Sequence, residues 1–209
     1  MASLSQSRKW CAIVPLKGSA SAKSRLHALY GVDGADWARA FLADILDQLQ
    51  ATPEIGKILV VTGDLEVVHL LPGVEVIEDA GHGLNAAIIL GASRCIGPTI
   101  VIPADLATLN SADLSLLLTK AASVPFGFVR DAAGEGTALL FALSGHDVRP
   151  RFGSDSAQAH IEGGAVELLA PLTLRLDIDD AISLVAASSG LGEHAKRLLA
   201  LAKNFPSSE

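Results

Sequence analysis

The chain has 209 residues, half of them apolar and few aromatic, which suits one compact α/β domain. Sixteen basic against 23 acidic residues give a formal net charge of −7, which argues against a nucleic-acid or anionic-membrane surface. No apolar stretch approaches the ~20 residues of a bilayer span, and the first residues lack an apolar leader core. Cys11 and Cys95 have no metal-like spacing, so the simplest expectation is a cytoplasmic protein with two unpaired thiols.

In chain order, apolar β-branched runs alternate with helical patterns. Strands are expected near 11–15, 57–62, 74–78 and 98–102, and helices near 35–50, 64–71, 84–95 and 111–122. This order predicts a largely parallel sheet covered by helices on both faces. The runs at 58–62 and 99–103 are nearly all apolar, as strands buried on both faces should be. After about residue 125 the rhythm changes. Residues 125–130 and 137–143 read as two strands joined by the turn at 131–136. A short helix over about 154–162 follows, then extended segments at 165–169 and 173–177. Helices from about 179 and over 193–203 close the chain.

Chemistry-bearing residues gather where these elements end. Strand-like residues 12–15 open into a loop of small residues carrying Lys17, Lys23 and Arg25. Such a loop lets backbone N–H groups approach an anion while the cations neutralise it, so a polyphosphate is its natural ligand; a solvated turn is the alternative. Gly81, Gly83 and Asn85 sit between a strand and a helix, and Asn85 offers a donor and acceptors to a base or ribose edge. This segment also fits a weak dinucleotide-binding pattern, but it follows the third strand where the first would be expected.

Asp105 directly follows a buried strand, where a carboxylate is well placed to hold Mg²⁺ over a phosphate. On an extended segment Asp177 and Asp179 share a side, and two such carboxylates repel unless a cation lies between them. Asp179 also suits a helix N-cap. Thr137 after Gly134 and Gly136, and Gly153 with Ser156 and His160, offer hydroxyls and N–H groups suited to a small anion, or ordinary turn chemistry. His27, His69, His146 and His194 read as surface or structural residues.

Taken in order, these pieces resemble the 2-phospho-L-lactate guanylyltransferase family. The resemblance runs from about Ile13 to Leu184. It rests on residues 14–17 and 22–26, then 83–85 and 103–106, then Gly136 and Thr137 with Leu139 and Leu140. Phe152, Gly153, Ser156 and His160, with residues 176–179, complete it. Ala107, Ala138 and residues 180–183 depart from the family's usual pattern. The resemblance implies a three-layer α/β/α, Rossmann-like nucleotidyltransferase fold of the glycosyltransferase-A type, with a mostly parallel sheet. It implies one nucleotidyltransferase domain over 1–209, with about 125–175 on the acceptor side.

The activity so implied is transfer of GMP from GTP to a small phosphorylated carboxylic acid: 2-phospho-L-lactate, phosphoenolpyruvate or 3-phosphoglycerate. Pyrophosphate is released, and the product serves coenzyme F-420 biosynthesis. Lys17, Lys23 and Arg25 would hold the triphosphate, with Gly83 and Asn85 on the nucleotide. Thr137, Gly153 and Ser156 would take the acceptor. Asp105, Asp177 and Asp179 would hold Mg²⁺, Asp105 and the three cations being the catalytic set. A homodimer is the family's suggestion. The other readings are a nucleotidyltransferase using CTP or ATP, one with a sugar-phosphate or molybdenum-cofactor acceptor, and a non-catalytic nucleotide-binding module. A dinucleotide-dependent oxidoreductase comes last.

Overall fold

The computed structural model describes residues 9–16, 26, 32–64 and 73–203. Lys17, Lys23, Arg25, His27, His69 and the helix expected at 64–71 lie outside the described residues. Seven strands form one sheet: β1 (Trp10–Leu16), β2 (Ile55–Thr62), β3 (Glu75–Glu78), β4 (Thr99–Val101), β5 (Phe126–Arg130), β6 (Thr137–Ala142) and β7 (Val166–Glu167). The spatial order is β3-β2-β1-β4-β6-β5-β7. β1, β2, β3 and β4 are mutually parallel, β6 runs antiparallel to both its neighbours, and β5 pairs parallel with β7.

Among the described residues the α-helices with full bounds are α1 (Gly34–Ala51), α2 (Leu84–Ala92), α3 (Ser111–Ala121), α4 (Ser156–Glu162), α5 (Ala181–Ala187) and α6 (Glu193–Lys203). Side chains alternate along β1 and so serve two layers. Ala12, Val14 and Leu16 pack with Leu42, Ile45 and Leu49 of α1 and Leu114, Leu117 and Leu118 of α3. Cys11 and Ile13 pack on the opposite face with Ala87, Ile88 and Ala92 of α2 and Ala157 of α4. A third apolar cluster, built on Trp37, Phe41, Ile178, Leu184 and Ala195, joins α1 to α5 and α6.

Local chemistry sets the helix limits. Asp33 caps α1 by accepting from the Ala35 N–H, and α1 stops at extended Thr52, ahead of Pro53. Asn110 caps α3, accepting from the Ala112 and Asp113 N–H groups. Gly91 lets α2 lie close on the sheet, since a Cβ there would stand 2.8 Å from Cγ2 of Ile13. That closeness brings the end of α2 over β1, where Cys95 meets Cys11 with a Cα–Cα distance of 6.2 Å.

Two expectations are corrected. The cysteines are a disulfide pair, not free thiols, because β1 and the residues after α2 converge across 84 residues of chain. Residues 173–177 are no strand. Leu172–Leu174 form a 3-10 turn, and Arg175 then folds back to donate to the carbonyls of Arg130 (3.0 Å) and Asp131 (2.8 Å).

Candidate functional site

A parallel strand delivers its following residue to one edge of the sheet, and a reversed neighbour begins at that same edge. β4 therefore ends where β6 starts, and the two bound a cleft of about 210 Å³ lined by Asp105, Asp131, Gly136, Thr137, Phe152, Gly153, Ser156 and Asp177. The cleft lies outside the carboxyl ends of the parallel strands, the usual ligand position in such sheets.

One wall is acidic. The Ile178 N–H donates to the Asp105 carbonyl (3.1 Å), which binds the segment carrying Asp177 to the end of β4. Burial pushes the Asp177 carboxyl above the ordinary carboxylate range, and the like charges of Asp105, Asp179 and Asp131 push it further. Asp179 is exposed and stands one residue before the cap of α5. The cap itself is Asp180, in a capping box with Ser183, so the capping role that suited Asp179 belongs to its neighbour. Carboxylates on one cleft wall are hard oxygen ligands of the kind a divalent cation such as Mg²⁺ takes, although among the described residues no three of them bring ligand oxygens within 4.8 Å of one another.

Asp131 was not singled out in the sequence. Its carboxylate accepts three backbone N–H groups, from Gly134 (2.6 Å), Glu135 (3.1 Å) and Gly136 (2.8 Å), and so fixes the β5–β6 turn. An aspartate followed by glycines within a turn is the signal that could have found it. Arg130 steadies the same turn. It donates to the Gly134 carbonyl (2.9 Å) and pairs through two nitrogens with Glu167, whose carboxyl is held below its usual range by that guanidinium.

The opposite wall is made of hydroxyls and backbone. Thr137 and Ser156 are buried at the cleft edge. Gly153, at φ +147°, and Asp155, a left-handed non-glycine residue at φ 51°, bend the chain sharply into α4. Asn85 reaches this turn: the Phe152 N–H donates to Asn85 Oδ1 (2.9 Å), and Asn85 Nδ2 donates to the Phe152 carbonyl (3.0 Å). The carboxamide is thus largely committed to the turn, with one N–H and one oxygen lone pair left over. Gly83 caps α2 without a side chain and is exposed.

His160 underlies the same wall. It is fully buried, within 2.8 Å of the Thr137 hydroxyl at Nδ1, and its Nε2 accepts from the Arg151 N–H (3.0 Å). Burial, and then the nearby Arg151 charge, lower its pKa to about 4 against the opposing Ser156 carbonyl. The imidazole is neutral at physiological pH.

A second carboxylate group lies elsewhere. Asp44, Asp47 and His194 bring one ligand atom each within 4.8 Å of one another. Both Asp44 oxygens already accept from the His194 and Ala195 N–H groups (2.9 Å each), so Asp44 anchors the start of α6. Among the described residues, no helix is long and apolar enough to cross a membrane.

Comparison with known proteins identifies the family and the fold. Residues 10–188 match the family described as "Guanylyl transferase CofC like". The chain is 38% identical over 189 residues to the phosphoenolpyruvate guanylyltransferase of Streptomyces coelicolor, covering 83% of this chain and 84% of that protein. It is also 38% identical over 206 residues to the protein of the same name from Geodermatophilus obscurus, covering 92% and 94%. Among solved structures, a Desulfovibrio desulfuricans protein described as a "putative nucleotide-diphospho-sugar transferase" shares the fold, with a TM-score of 0.72, 15% identity, and coverage of 94% and 97%. With its mixed seven-stranded sheet and its cleft at the strand ends, the chain belongs to the CofC-like guanylyl transferase family.

Proposed function

We propose that the protein transfers GMP from GTP to phosphoenolpyruvate, with release of pyrophosphate, as a step toward coenzyme F-420. The observation that carries this reading is one cleft with a carboxylate wall facing a wall of hydroxyls and backbone groups. The family match and the printed names of the relatives support the nucleotide and the acceptor.

In this reading an oxygen of the acceptor phosphate attacks the α-phosphorus of GTP in line, the new P–O bond forming as the bond to pyrophosphate breaks. That phosphate is already ionised near neutral pH, so the protein supplies no general base. Positioning and charge neutralisation provide most of the rate. Asp105 and Asp177, with Asp179, hold Mg²⁺, which when bound neutralises phosphate charge. Lys17, Lys23 and Arg25 take the triphosphate and Gly83 and Asn85 the nucleoside side. Thr137, Gly153 and Ser156 receive the acceptor, within an acceptor-side part spanning about 125–175 of a single domain.

Pyrophosphate release, measured with four nucleoside triphosphates against phosphoenolpyruvate, 2-phospho-L-lactate and 3-phosphoglycerate, with Mg²⁺ and with chelator, tests the reading. Release with GTP and phosphoenolpyruvate, lost on chelation, is expected. Another preferred nucleotide or acceptor, or no release, overturns it.

A further inference from the structure

Three backbone groups on the acceptor side are gripped by two side chains that come from different helices. Asn85 of α2 holds the N–H and the carbonyl of Phe152, and His160 of α4 holds the N–H of Arg151. The second grip has a further consequence. A backbone N–H only donates, so Nε2 of His160 carries a lone pair, and the ring proton of the neutral imidazole sits on Nδ1. Nδ1 faces the Thr137 hydroxyl at 2.8 Å. The ring cannot turn over freely: it is fully buried and packed against Phe128 (centroids 5.8 Å apart) and the edge of Phe152 (5.4 Å).

We propose that His160 is a positioning residue that holds the Thr137 hydroxyl as a hydrogen-bond donor toward the cleft. This role for His160 rests on the acceptor-side role proposed for Thr137. Thr137 Oγ1 accepts from His160 Nδ1–H, so its own proton points to whatever occupies the cleft it lines. A fixed O–H donor suits an oxygen that carries no proton, as in an ionised phosphate or carboxylate. It also explains why a histidine stands where no ligand reaches it: of the neutral side chains, imidazole presents one donor and one acceptor on opposite edges of a rigid ring.

The first test needs no turnover. In the whole protein labelled with ¹⁵N-histidine, NMR near pH 7 is expected to show His160 with the proton on Nδ1. A proton on Nε2, or an averaged pair of tautomers, overturns the proposal. The second test is kinetic. His160→Phe keeps a ring between Phe128 and Phe152 and deletes both nitrogens. It is expected to raise the acceptor KM about tenfold with the GTP KM unchanged. In a Thr137→Val background the same change is expected to add less than about twofold. Equal effects in both backgrounds, or a change in the GTP KM, overturn it. If thermal melting shows His160→Phe misfolded, His160→Asn, whose amide can replace the Nδ1 donor, must preserve an acceptor KM that His160→Ala loses. Absence of turnover in the wild type with every acceptor would defeat the functional reading while leaving the tautomer result to decide this one.

Discussion

The two walls of the cleft are built on opposite plans. On the acidic wall, burial and three neighbouring carboxylates all raise the cost of charge on Asp177. On the facing wall, Asn85 and His160 find their partners in the chain itself, on the backbone of Phe152 and Arg151. The acidic wall therefore concentrates like charge, whereas the facing wall is held by hydrogen bonds within the chain. A small dianionic acid has little apolar surface to bury, so pre-set donors are what can select it, and clustered like charge is what a divalent cation relieves.

The largest expected effect breaks the acidic wall. Asp177→Asn removes a charged oxygen and is expected to lower kcat about 10³-fold. Thermal unfolding should be unchanged or shifted upward, because the substitution also removes like-charge repulsion. A folded variant with near-normal pyrophosphate release would take Asp177 out of the mechanism.

Acid should break the other wall first. His160 is held neutral in the fold, with a pKa of about 4 against an ordinary 6.5. The unfolded chain therefore binds more protons between these values, so stability is complete above pH 6.5 and is lost as pH falls toward 4. The loss amounts to roughly 3 kcal/mol. Urea unfolding at pH 7 and pH 4 measures it, and His160→Asn should flatten that part of the profile. An equal slope in the variant would assign it to other groups.

Asp131→Asn turns one of three accepted N–H bonds into a clash of donors. The expected cost is about 2 kcal/mol in urea unfolding, with a raised acceptor KM. A variant as stable as the wild type would show that the turn is held by Arg130 and Arg175 alone. Ser156→Ala is expected to give the smallest change, about a tenfold rise in acceptor KM with nucleotide affinity preserved. Weakened GTP binding with an unchanged acceptor response would reverse the assignment of the two walls.

Much of the frame was legible because parallel strands buried on both faces leave unbroken apolar runs, as in residues 58–61 and 100–102. Asp105 could be read because it directly follows such a run. Residues 173–177 misled because Leu174, Leu176 and Ile178 alternate as a half-buried strand would; the alternation instead serves two different apolar clusters, with Arg175 turned back onto the β5 carbonyls between them. The grip of Asn85 on Phe152 joins residues 67 apart, and the Cys11–Cys95 pair spans 84. No local pattern records such meetings. His160 was visible as a motif residue, but its tautomer follows only from the Arg151 N–H that faces it.

The reversal of β6 has a consequence for the whole cleft. Because β6 runs against its neighbours, the 131–136 turn enters the cleft as a hairpin, outside the β3-β2-β1-β4 ladder that roots the opposite wall. The hairpin is tied to that wall: Arg175, two residues before Asp177, donates to the carbonyls of Arg130 and Asp131, and the Ala132 N–H donates to the Arg175 carbonyl. A change of length or sequence in this one turn would therefore be felt on both walls of the cleft, through the segment that carries Asp177.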